Sequence, residues 1–311
     1  TSSHCDWSSD VCSSDLVPRD SVLADDDHVG VALLGGTVED DVGHAGYCGY
    51  VHGGGTYTPS GPGSKPGQSA GRLACQTPEV ADEQRPVRLV LEPEDEYNHR
   101  PDPVPNYNES MYFNVVDHHS RLGTWFRLGN RVNEGYAEMS CCVYLPDGRV
   151  GFMYQRPRIS TNEVFDAGGL SFEVEEPFER LRVRYDGDLC LLDEPGRMAD
   201  PKRAFTENPL VPCTVDLAYR GIAPMFGGRT VDAETGEEPD RDAERSFSKA
   251  HYEQHVAAVG TVEVDGERFD VDGLGLRDKS WGPRYWQAIA WYRWLPMAFG
   301  EDFAVMVPLI S

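Results

Sequence analysis

From Pro101 to the end of the chain, apolar and polar positions alternate with the two-residue period of half-buried strands. Leu181, Val183 and Tyr185 are separated by Arg182 and Arg184, which places one face of that segment in a core and the other in water. Glu109–Val116 and Gly123–Leu128 are rich in aromatic and β-branched residues and read as strands. Tyr136–Leu145 and Arg149–Gln155 flank Pro146-Asp147-Gly148, where glycine supplies the positive φ of a hairpin turn. The same chemistry predicts hairpins at Asp186-Gly187, joining Leu181–Tyr185 to Leu189–Leu192, and at Asp265-Gly266, joining Val256–Val264 to Arg268–Val271. Met225–Ser246 is polar and acidic without periodicity and reads as a loop between two β-rich halves. Gln287–Trp294 and Phe303–Ile310 carry strand signals to the last residues with no closing turn, so a sheet cut off there is expected, since an unpaired apolar edge is an aggregation liability. The fold class is all-β and antiparallel, a barrel or a pair of half-barrels.

The first 98 residues break the pattern. Cys5–Leu16 resembles a translated sequencing-adapter read, and the Gly-, Pro- and Ser-rich stretch after it has too few periodic apolar residues to form a core. Residues 1–98 are therefore expected to be disordered or non-native, with Val31–Leu34 and Arg88–Leu91 as isolated strand candidates. The remainder divides into a first β-barrel domain (99–224), an acidic loop (225–246) and an incomplete second barrel (247–311).

A formal charge of −24, spread along the 311 residues, disfavours nucleic acid and anionic membrane surfaces as partners. No apolar run is long enough for a membrane-spanning helix and no secretory signal opens the chain, so no membrane insertion and a cytoplasmic location are expected. The eight cysteines show no CxxC-type spacing, and Cys141 and Cys142, adjacent on a strand, point to opposite faces. Phosphate-binding glycine loops, a GxSxG elbow and zinc signatures are missing, and neither a cofactor nor a metal is expected.

The motif richest in chemistry is Gly275-Leu-Arg-Asp-Lys-Ser-Trp-Gly-Pro-Arg284, followed by Trp286 and Trp291-Tyr-Arg-Trp294. With His251-Tyr-Glu-Gln254, Val262-Glu-Val-Asp-Gly266 and, upstream, Glu109-Ser-Met-Tyr-Phe-Asn114, it resembles the carotenoid 1,2-hydratase (hydroxyneurosporene synthase) and AttH-like superfamily. The resemblance covers most of residues 101–311 and implies lipocalin-like β-barrels. Where relatives show Arg-Asp-His-Ser-Trp-Gly, this chain has Lys279, which removes a proton-shuttling histidine.

Hydrating a C=C bond needs a proton donor and a wall that tolerates a carbocation. Asp278 is the candidate general acid, Trp281 the cation-stabilising face, and Arg284 the group that holds either Asp278 or a polar part of a substrate. Tyr112, Asn114, His251, Glu253, Trp286, Trp291 and Tyr292 are candidate ligand-binding residues; His251, Glu253 and His255 share one strand face. The plainer reading of the motif is structural, an Asp–Arg pair with Trp and Gly that pins a barrel corner. The two readings turn on whether Asp278 or Lys279 points into the barrel, because neighbours on a strand face opposite sides.

Three functions remain open. The first is binding of a hydrophobic small molecule of terpenoid, steroid or fatty-acyl type inside the barrel. The second is a cofactor-independent hydro-lyase or isomerase acting on an isoprenoid or lipid double bond. The third is an inactive gene fragment.

Overall fold

Asp265 and Gly266 both adopt positive φ, +52° and +80°, the backbone that a two-residue type I′ turn requires between twisted strands. The computed structural model that contains this turn describes residues 50–53, 86–238, 249–285 and 290–310. Val31–Leu34, Trp286 and the cysteines before residue 86 lie outside the described residues. The strands in chain order are β1 (Tyr50–Gly53), β2 (Val87–Val90), β3 (Tyr107–Asp117), β4 (Leu122–Arg131) and β5 (Tyr136–Tyr144). They continue as β6 (Val150–Gln155), β7 (Phe165–Ala167), β8 (Leu170–Glu176), β9 (Arg180–Leu192) and β10 (Leu210–Gly221). After these come β11 (Phe226–Asp232), β12 (Ala250–Val264), β13 (Glu267–Pro283), β14 (Tyr292–Gly300) and β15 (Phe303–Ile310). Among the described residues one α-helix, α1 (Pro201–Glu207), is capped by the Asp200 side chain on the Arg203 amide and begins with proline, as helix N-termini favour.

Eight of these strands close a ring. β3 pairs with β4, β4 with β5, β5 with β6, β6 with β9, β9 with β10, β10 with β12, β12 with β13, and β13 returns to β3, every pair antiparallel. The strands on either side of the expected 225–246 boundary thus share one barrel, with β12 and β13 filling the gap between β10 and β3. The 225–246 stretch itself contributes β11, which pairs with β12 and with β2 and so gives the Arg88–Leu91 candidate its partner. β14 and β15 form a separate small sheet with β1.

The Asp147-Gly148 and Asp265-Gly266 turns form as expected, but Asp186-Gly187 does not turn: β9 runs straight through it, paired with β10 along both halves. Gly187 instead makes room for the Tyr185 ring, whose hydroxyl donates to the Asp188 carbonyl at 2.7 Å.

Inward positions alternate as strand geometry demands. Met111, Phe113 and Val115 meet Phe126 and Leu128, Met139 and Cys141, Leu181 and Val183, and Leu217 and Val256 in one cluster. Phe113, Phe126, Leu128, Val143, Leu181, Val183, Leu217 and Val256 have 0 % exposure, so water-sized space does not reach them. Side chains therefore fill this barrel, as in small barrels generally, and the expected interior ligand cup is occupied by core.

Closure of the ring is tight at Gly260, opposite Leu217, where φ is +151° and a Cβ would fall on the Asp216 carbonyl oxygen. Gly260→Ala should cost about 2–3 kcal/mol, read as a lower urea midpoint. A loss below about 0.5 kcal/mol would mean that the β10–β12 seam is looser than the structure has it.

At one end of the barrel the core changes to charge. Arg277 and Lys279 point inward, both fully buried, and the 3₁₀ turn Pro93–Glu96 covers them. Glu96 accepts both Arg277 terminal nitrogens at 2.7 and 2.8 Å, the Tyr252 hydroxyl at 2.6 Å and the Phe178 amide at 2.8 Å. Lys279 donates to the carbonyls of Asp95 and Tyr97 at 2.9 Å and to Glu109 at 2.8 Å. Burial lowers the Lys279 pKa even though Glu109 opposes it, and Glu109 is held at about 2 because His99 and Lys279 outweigh its own burial. Residues 86–98, expected to be non-native, thus supply part of the barrel's polar interior.

Candidate functional site

Because Arg277 and Lys279 fill the inner face of β13, Asp278 and Ser280 lie on the outer face. Asp278 stands between Glu253 of β12 and Tyr112 of β3, and Ser280 between His251 and Ser110. His251 Nε2 lies 2.7 Å from Asp278 Oδ2 and 3.4 Å from Glu253 Oε1. β14 covers this group: the Trp294 indole N–H donates to Glu253 Oε1 at 2.8 Å, and its ring meets Tyr112 edge-on at 5.5 Å. From Tyr112 a line of half-buried rings crosses the outer face, to Trp125 at 6.3 Å, then to Phe152 at 6.0 Å and to Phe205 of α1 at 6.1 Å.

The electrostatics follow from this packing. Burial raises the Glu253 carboxyl to about 7, with His251 opposing and the Asp278 carboxylate reinforcing the rise. Burial works against a charged His251, but the hydrogen bond and charge of Asp278 prevail and its pKa is raised. The packing therefore sets a carboxyl that burial keeps protonated up to about pH 7 beside a histidine whose charged form is favoured by Asp278. The donor atoms of His251, Glu253 and Asp278 lie within 4.8 Å of one another, close enough to share a cation.

The structure gathers Asp278, His251, Glu253, Tyr112 and Arg284 on one face and leaves Trp281 on the other. Trp281, three residues from Asp278, stacks on His99 at 4.1 Å inside the barrel end, with Lys279 over its ring. The proton donor and indole face expected to act together are thus separated by the thickness of the sheet. Asn114 holds local structure, accepting the Leu276 amide at 2.8 Å and donating to the Tyr112 hydroxyl at 3.2 Å. Trp291 and Tyr292 stand in solvent at the start of β14, 51 % and 48 % exposed. Trp294, not Trp291, reaches the site. Trp125, Ser110 and Ser280 were not expected as site residues. The signal for Ser110 and Ser280 was the two-residue spacing from Tyr112 and Asp278; Trp125 is brought to Tyr112 only by the pairing of β3 with β4.

Among the described residues, no helix is long and apolar enough to cross a membrane. No curated protein matches the chain. A candidate AttH protein from Nitrosomonas europaea, known from its crystal structure, is similar at 14 % identity with a TM-score of 0.45. The similarity covers 70 % of this chain, which spans 62 % of the length of that protein. The model of a family described as a domain of unknown function, DUF7064, matches residues 92–310, from the turn that covers the barrel end to the last strand, and the chain belongs to that family.

Proposed function

We propose that the protein binds a small unsaturated apolar molecule against the outer face of the barrel, beneath β14, and protonates it from Glu253. The observation that carries this reading is the placement of Glu253: a carboxyl only 8 % exposed, beside Asp278 and bonded to the indole of Trp294. The neighbouring rings supply apolar contact, and their faces attract a cation. In the proposed step the Glu253 proton adds to one alkene carbon, the π pair forms the new C–H bond, and the other carbon becomes cationic. Water then adds and returns a proton to the Glu253 carboxylate, or an adjacent C–H proton returns to it. The outcome is hydration in the first case and isomerisation in the second. Burial, reinforced by the charge of Asp278, keeps Glu253 from ionising against the opposing charge of His251.

The test uses a panel of isoprenoids and unsaturated fatty-acyl compounds incubated with the protein in D₂O. Compounds retained by the protein should gain deuterium on carbon, and Glu253→Gln should retain them without exchange. Retention without deuterium in the unmodified protein would reduce the function to binding, and retention of nothing would remove the site.

A further inference from the structure

Beyond the Glu253 group, the outer face continues into a corner rich in hydrogen-bond donors. Asn108 on β3 is fully buried, and neither its amide nitrogen nor its oxygen has a hydrogen-bond partner. Buried amides are nearly always bonded, so one with both ends open marks a place where a further group fits. Its oxygen and an Arg127 terminal nitrogen stand together over Gly129, 3.0 and 2.9 Å from where a Cβ would lie, and Arg127 also donates to Glu138 at 3.1 Å. Ser110, one rung further along, pairs with Gly129 on one side and Ser280 on the other, and the two serine hydroxyls are 3.0 Å apart. Arg284, 8 % exposed, donates to both hydroxyls, and its backbone is tied to Asn106 by reciprocal bonds of 3.0 and 3.2 Å.

We infer that this corner receives the carboxylate of an amphipathic ligand whose apolar body lies over Tyr112 and Trp125. Two guanidiniums, two hydroxyls and an amide converge there, and guanidinium forks match the paired oxygens of a carboxylate. Burial and the nearby Arg127 lower the Arg284 pKa to about 10, against the opposing charges of Asp278 and Glu138. With a chain charge of −24 and Asp278 one rung away, a monoanion suits the corner better than a phosphate. The sheet then presents anion-binding donors, an acid and aromatic rings in succession, matching a long-chain monocarboxylic acid. This inference rests on the proposed outer-face site and adds the ligand's head group to it.

cis-Parinaric acid and its methyl ester, titrated into the full chain and followed by energy transfer from tryptophan, separate the two ideas. The acid should bind about tenfold more tightly than the ester or better, as a charge-assisted hydrogen bond allows. Asn108→Ala removes an amide that bonds nothing in the folded chain, so stability should hold while acid affinity falls severalfold and ester affinity stays. Arg284→Gln should abolish the acid preference. Equal affinity for acid and ester, or a preference that survives both substitutions, would overturn the carboxylate assignment while leaving the outer-face site standing. Binding of neither probe would overturn both.

Discussion

Glu96→Ala is expected to destabilise the protein by about 3–5 kcal/mol, seen in urea denaturation, because it strands the Arg277 guanidinium inside the barrel. Both side chains are fully buried, and Glu96 also accepts from Tyr252 and Phe178. Burial alone would raise the Glu96 pKa; Arg277 outweighs it and holds the carboxyl below its ordinary value. The sign is therefore that of a depressed acid: the stabilisation is present above the unfolded pKa and disappears as pH falls through the folded one. Replacing both partners, Glu96→Leu with Arg277→Met, should recover much of the loss, since a buried ion pair is worth little over apolar packing of similar volume. If the single substitution costs under about 1 kcal/mol, the turn at residues 93–96 does not cover the barrel end in solution.

This network also explains what the sequence could and could not reveal. Clean alternation, as in Leu181–Tyr185, identifies an inward face because only one side is apolar. β13 gives no such sign around its motif: Arg277 and Lys279 on one face and Asp278 and Ser280 on the other are all polar. Which face is buried depends on partners more than 160 positions away, Glu96 and Glu109, and Glu96 lies in a segment that composition alone marks as coreless. Lys279, conspicuous as a departure from the related motif, is explained the same way, since its three donors are all used by the covering turn and Glu109. The hairpins show a similar limit. Asp265-Gly266 turns because both residues take positive φ, whereas Asp186-Gly187 remains in a strand continuously held by β10. Local chemistry permits a turn, and the neighbouring strand decides whether one forms.

Glu253→Gln should separate function from stability. If Glu253 is the proton donor, turnover should fall by about 10² to 10⁴-fold, the usual contribution of a general acid. The same substitution should stabilise the fold at pH 8. Glu253 rises from 4.5 to about 7 on folding, so between those values the native state holds a proton that the unfolded chain has released. Stability is then full below pH 4.5, is lost as pH rises toward 7, and stays lower by about 3 kcal/mol above it. Glutamine carries no such penalty and still offers Trp294 an amide oxygen. His251 moves in the same direction but higher, its contribution lost only as pH rises above 6.5 through its raised pKa, so the Glu253 share is read between pH 4.5 and 6. Asp278 and Trp294 also face the carboxyl. Asp278→Asn, which removes the neighbouring charge, should bring the Glu253 transition to lower pH and shrink the penalty. Urea denaturation across this range is the measurement. A Glu253→Gln variant with the wild-type slope between pH 4.5 and 6 would show that Glu253 is not held neutral, and the reading of it as an acid would go with it. A chain that gains stability and loses proton transfer through one substitution would instead carry at Glu253 a group retained against the interest of the fold.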